Sequence, residues 1–171
     1  LGHLCVQYML SLKQPEERIR PILLRMLEAE PDHIPARSQL LAYAAMRSDT
    51  EEMVSICSDG IDYTPEVLTF YYYKGVALHH FMGKPHEALD TYRQATRQIT
   101  EESDAEMASD IYTAMGDIHY EQGQLAETYL CYDTALVYNP SNIFVLNNYA
   151  YFLAEEERDL EKAEQMSRQA I

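Results

Sequence analysis

Tryptophan is absent from this chain, and glycine is scarce, with six in 171 residues. No glycine-rich loop able to cradle a phosphate exists, and Gly75, Gly83, Gly116 and Gly123 read as helix-packing and turn glycines. The three cysteines, Cys5, Cys57 and Cys131, are too few and too scattered for a disulfide framework or a metal knuckle. Their reading is as small apolar residues in helix packing, which fits a reducing compartment without demanding one. Basic residues are outnumbered, 13 against 28 acidic, giving a formal net charge of -15. Such a chain repels phosphate backbones and anionic membranes, so nucleic-acid and membrane-surface functions are excluded, and long-range attraction favours basic partners. Long apolar runs are missing too. The uncharged stretch 134–154 is interrupted by Asn139, Pro140, Ser141, Asn142, Asn147 and Asn148, so no transmembrane segment is read. Leu1 opens a mixed stretch without a basic n-region, so no signal peptide is read either. Catalytic and metal signatures of the H-E-x-x-H, C-x-x-C and H-x-x-E-H kinds do not occur. His79 and His80 are adjacent, and on a helix they point about 100° apart, which does not suit a shared metal. No enzyme activity, metal or cofactor is therefore expected.

What the chain has is apolar content of 47%, ample for a core, and fourteen tyrosines. Helical signals alternate with turns throughout. Leu1 to Leu12 is apolar with few breaks. Pro15-Glu16-Glu17 starts a helix, with proline where its missing N–H costs nothing and acids in the positive first turn. Ile19, Leu23, Met26 and Leu27 repeat at helical spacing up to Pro31, and Pro21 is tolerated in the early turns. Ala36 to Arg47 and Thr50 to Asp62 come next as two helices, separated by a turn and an N-cap with acids behind it.

The stretch from Tyr112 to Pro140, YTAMGDIHYEQGQLAETYLCYDTALVYNP, carries the decisive spacing. Tyr112, Met115-Gly116, His119, Gly123, Thr128, Tyr132, Ala135 and Pro140 fall at the offsets of W-x2-L-G-x2-Y…A-x3-F…A…P. Pro31 to Pro65 repeats at 34 residues, with Leu40-Leu41, Ala44, Met53, Cys57 and Gly60 between. The sequence thus resembles the tetratricopeptide repeat (TPR) family, whose unit is a 34-residue helix-turn-helix. Particular to this chain are a threonine at Thr128 where alanine is usual and a histidine, His119, in a tyrosine slot.

The resemblance implies an all-α, right-handed α-solenoid of four to five units, forming a single domain over 1–171. The units fall at about 1–31, 32–65, 66–103, 104–141 and 142–171, the last one truncated. Gly75 to Gly83 is one residue longer than usual, and the extra residue is expected in the turn around Met82 to Pro85. A further extra residue is expected near 156–158. Ala95 to Ala135 spans 40 residues instead of 34, placing about six inserted residues around 99–103, either as an exposed turn or as longer flanking helices. Gly75, Gly116 and Ala150 would let helices approach within a unit, and Ala88, Ala95, Ala135, Ala163 and Ala170 between units. Tyr71, Tyr92, Tyr112 and Tyr132 would fill the wider gaps.

Family ligands lie along the concave face made by the first helix of each unit. Carried over, that face comprises Tyr72, Tyr73 and His79, then Asp117, Tyr120 and Glu121, then Asn147, Asn148 and Tyr151. The mixture is aromatic, amide and acidic, without the basic residues that clamp a C-terminal carboxylate in some members. A non-catalytic scaffold for a protein or peptide, basic or aromatic-rich, is the expected function. The alternative is a self-association module of a larger bacterial assembly, packing through the apolar ends at Leu1 and Ile171. The segment 146–163 is similar to bacterial TPR proteins, and the chain reads as a fragment of one. Such stacks occur in the cytoplasm and on bacterial envelopes alike, so the compartment depends on sequence upstream of Leu1.

Overall fold

The computed structural model describes residues 2–155 and 159–169. Within them lie ten α-helices and one π-helix. They are α1 (Gly2–Ser11), α2 (Glu16–Ala29), α3 (Ile34–Met46), α4 (Thr50–Tyr63), α5 (Leu68–Val76), the π-helix (Ala77–Phe81), α6 (Pro85–Thr96), α7 (Ala105–Glu121), α8 (Leu125–Tyr138), α9 (Ile143–Glu155) and α10 (Leu160–Gln169). Leu1, Ala170, Ile171 and the extra residue expected at 156–158 lie outside the described residues. No described helix is long and apolar enough to cross a membrane. The chain divides into two compact units, Leu1–Lys84 and Pro85–Ile171.

In the first unit, α2 runs through Pro21, and its apolar stripe buries Ile19 and Leu23 against Leu40, Leu41 and Ala44 of α3. Asp49 caps α4 by accepting the Glu52 N–H at 3.0 Å, as its place before an acidic first turn demands. His33 does the same for α3 through Nδ1, accepting from the Ala36 N–H at 3.1 Å. Gly60 of α4 lies under the fully buried ring of Phe70 on α5, which fixes how closely those helices approach.

Turn geometry repeats along the chain. Lys13, Ser48, Gly83, Gly123 and Asp159 all have positive φ, one between each pair of helices. The N–H after the left-handed residue then reaches back five residues: Gln14 to Met9, Asp49 to Ala44, Gln124 to His119. These are Schellman closures. At Gly83 the reach is six, from Lys84 to Leu78. The extra residue of this unit is therefore not in the turn around Met82 to Pro85, as its spacing suggests. It is taken up from the π-helical turn at Ala77–Phe81 onward, which widens the closure to six residues while Gly83 keeps the left-handed conformation of its counterparts.

Glu16, Arg20, Arg47 and Glu52 join the start of α2 to the α3–α4 turn as a four-membered ion network. The Glu16 carboxyl is held below the usual carboxylate range, first by the hydrogen bond from Arg47, against burial and with help from Arg20. A depressed folded-state value stabilises above the unfolded value and is lost as pH falls through the folded one. Thermal midpoints of wild type and Glu16→Gln should therefore differ at neutral pH and converge below about pH 4. A gap that stays constant down to about pH 3 would show that the charge of Glu16 does not act through this network.

In the second unit, α7 to α10 surround a core in which Tyr132, Ala135, Val145, Leu146 and Tyr149 are buried. The inserted residues ahead of α7 take both expected forms. Residues 97–104 make an exposed turn, tied by Ser103 Oγ accepting the Thr100 N–H at 2.9 Å, and α7 itself extends over 17 residues. Asp104 caps it by accepting the N–H groups of Glu106 and Met107. Thr128 fits an alanine slot because its hydroxyl turns back to the Gln124 carbonyl at 2.9 Å, which presents a methyl to the core. His119 is buried in its tyrosine slot, with Nδ1 on the Gln124 amide oxygen. Burial pushes the Cys57 thiol up to about 12 and that of Cys131 to about 11, so both are inert packing residues at neutral pH.

Candidate partner-binding site

In the second unit, three of the expected residues converge across α7, α8 and α9. Asp117 of α7 accepts the Tyr132 hydroxyl from α8 and the Asn148 Nδ2–H from α9, the latter at 3.0 Å. Tyr132 is fully buried, and its hydroxyl is driven far above the usual range, first by burial and then by the charge of Asp117. It therefore remains a donor at every working pH. One turn along α7, Tyr120 stacks on Phe152 of α9 with ring planes 13° apart, and its hydroxyl donates to Glu155 at 2.6 Å. This network leaves the amide of Asn148 with a fixed orientation.

Asn147 and Tyr151 lie elsewhere on α9. They line an open cleft of about 410 Å³ together with Ala150, Leu160, Ala163 and Glu164. Tyr151 is exposed and meets the neighbouring Phe152 edge to face. Glu121 is exposed in the last turn of α7. In the first unit, Tyr72 and Tyr73 pack edge to face at 5.4 Å, and His79 lies ring to ring with His80 at 4.3 Å inside the π-helix.

Near the end of α7's first turns, Asp110 is half-buried, and burial raises its carboxyl while the Asn142 amide, donating at 3.2 Å, opposes the rise. No group of three or more potential metal ligands stands together among the described residues. Sequence reasoning missed Glu155 and Phe152, the partners of Tyr120. Repeat arithmetic holds the signal, since Glu155 lies 35 residues beyond Tyr120, about one period. It also missed Arg37, which is 95% buried in α3. That residue stands one 34-residue period before Tyr71, in the large-residue slot that Tyr112 and Leu146 fill later.

No family model and no curated protein matches the sequence. Solved structures do match in shape. MamA 41-end from Desulfovibrio magneticus RS-1 superposes with a TM-score of 0.70 at 17% identity, over 99% of this chain and 90% of that one. PilW, described as a widely conserved type IV pilus biogenesis factor, gives 0.72 at 11% identity, over 99% and 74%. YrrB, described as a TPR protein with an unusual peptide-binding site, gives 0.65 at 19% identity, over 97% and 81%. At such identities the likeness is one of backbone, and it agrees with the helix pairs, the turn closures and the residue register described above. The fold of this chain is that of the tetratricopeptide repeat proteins.

Proposed function

We propose that the chain is a non-catalytic scaffold that holds a protein or peptide along faces carried by the first helices of its pairs. The observation that carries this reading is the fixed amide of Asn148. With Nδ2 donating to Asp117 and the Tyr132 hydroxyl beside it, the amide is held in one orientation, and its Oδ1 suits a backbone N–H of an extended segment. Tyr72, Tyr73 and Tyr151 supply aromatic surface of low conformational cost. The acidic balance of the chain and of Asp117, Glu121 and Glu155 favours a basic or aromatic-rich segment. The shape shared with YrrB supports peptide binding as the kind of function.

The test is a charge-varied array of capped twelve-residue peptides probed with the wild-type chain and with a Tyr120→Ala, Asn148→Ala variant whose helicity is checked by circular dichroism. Basic, aromatic-containing peptides should be retained by the wild type and lost by about tenfold or more in the variant, two contacts at about 1 kcal/mol each. Equal retention by both proteins would remove the face from consideration. Self-association is favoured by the open cleft on α9 and α10, where Tyr151 and Leu160 are 61% and 59% exposed. Light scattering on the same preparations decides it: a monomer at high concentration ends that reading.

A further inference from the structure

Arg37 is the one strongly buried cation among the described residues, and packing alone gives no reason for it. Burying a guanidinium is costly unless its donors are well met, and a tyrosine or leucine fills this slot in other units. Its donors are poorly met. Nη2 donates to the Pro31 carbonyl at 2.7 Å, which is its single hydrogen bond among the described residues. Nη1 stands 3.7 Å from Asp59, beyond hydrogen-bond distance, and the Asp59 side chain is 60% exposed. The guanidinium carbon lies 5.5 Å from the centroid of the Tyr63 ring. This cation forms the floor of an open cleft of about 440 Å³ between α2 and α4, walled by Leu24, Leu27, Pro31 and Tyr63, with Glu28 and Asp59 also lining it. Leu24 and the Tyr63 ring are 44% and 56% exposed, a large apolar surface to leave facing water.

We propose that this cleft is a second binding site, on the second helices of the first two pairs, for an extended segment of another protein that presents an aliphatic side chain next to a lysine or arginine. Three features select that occupant. The unmet donor of Arg37 takes a backbone carbonyl, a neutral acceptor. A carboxylate is disfavoured there, because it would enter beside Glu28 and Asp59 on a chain of net charge -15. The aliphatic side chain covers Leu24, Leu27 and the Tyr63 face, while the neighbouring cation reaches Asp59, whose own hold on Arg37 is loose. The slot retains a buried cation, and the ligand supplies an acceptor for the donor that no protein hydrogen bond meets among the described residues.

The probe is the capped tripeptide acetyl-Ala-Leu-Lys-amide, titrated into the uniformly 15N-labelled chain and followed by the Arg37 side-chain Nε–H and the backbone amides of Leu27, Asp59 and Tyr63. A dissociation constant on the order of 1 mM is expected. Acetyl-Ala-Ser-Lys-amide should bind about tenfold more weakly, having lost the apolar contact, and acetyl-Ala-Leu-Glu-amide should give no saturable shift. Asp59→Asn, at an exposed position, should weaken the lysine peptide about threefold. Arg37→Met keeps the volume, and swapping a poorly paired buried cation for an apolar side chain is expected to leave the thermal midpoint equal or higher. The same variant should abolish the site-specific shifts. Absence of saturable shifts in the wild type, or equal binding of the Leu-Lys and Leu-Glu peptides, overturns the proposal. So does undiminished binding by Arg37→Met. None of these residues belongs to the Asp117–Asn148 network, so failure at one site leaves the reading of the other intact.

Discussion

Tyr132→Ala should cost the second unit about 4 kcal/mol, the largest loss of any single substitution considered. The side chain is fully buried, fills the space over Gly116, stacks on Phe152 at 6.0 Å and meets Tyr149 at 5.7 Å. Its removal opens a cavity between α7, α8 and α9, and leaves Asp117 with one hydrogen-bond donor fewer. Tyr132→Phe removes the donor alone and should cost about 1–2 kcal/mol, since a half-buried carboxylate loses a charge-assisted bond. Thermal unfolding followed by circular dichroism should show a drop of about 10 °C for alanine and about a third of that for phenylalanine. Equal losses for both would place the stabilisation in the Asp117 bond, and a small loss for alanine would mean that the hairpin collapses around the gap. Because Asp117 also holds Asn148, Tyr132→Phe should weaken partner retention more than its stability loss alone accounts for.

The second large effect concerns glycines that look replaceable. In an exposed helix, glycine to alanine gains about 1 kcal/mol. Gly116→Ala and Gly60→Ala should instead lose about 2 kcal/mol each, because an added methyl meets a ring that cannot retreat. At Gly116 the new carbon would stand 2.5 Å from Cε1 of Tyr132, and at Gly60 it would stand 2.6 Å from two ring carbons of Phe70. Tyr132 and Phe70 are both fully buried, so relief requires the helices to part. Hydrogen exchange should localise the damage: faster exchange in α7 and α8 for Gly116→Ala, and in α4 and α5 for Gly60→Ala. A rise in thermal midpoint for either variant would show that the rings can shift at little cost.

How much of this was legible depends on which residues carried the information. Tyr112 to Pro140 exposed the whole hairpin, because its small and large residues recur at offsets set by helix-helix contact, and such contacts are local in sequence. Glycine at Gly60, in a slot where Ala95 and Ala135 stand in other units, was readable as a packing position. Its reason was not, since Phe70 lies across a helix boundary and only the fold brings the two together. The surplus residue of the π-helix was misplaced for a similar cause. Spacing counts residues between landmarks but does not say which hydrogen bonds stretch to hold the surplus. Among the expected site residues, the placing of Asp117, Tyr120 and Asn148 on first helices of their pairs was legible. Their mutual hydrogen bonding was not, because it depends on Tyr132, Phe152 and Glu155, residues chosen by the packing of three helices. Arg37 was hidden by its neighbours: in a stretch of alanine and leucine, a single cation reads as a solvated surface residue.

The π-helical turn at Ala77–Phe81 has a bearing on the history of the chain. An α-helix that gains a residue must rotate everything beyond it by about 100°, which would carry apolar side chains out of the core. Here the surplus is confined to the widened turn and the six-residue closure behind it, so that Leu78 stays buried and Gly83 keeps the left-handed conformation of its counterparts. The segment works as a vernier. It can take up or give back one residue without disturbing the phase of the helices beyond it, and lineages of this fold would be expected to differ in length here sooner than inside any other helix.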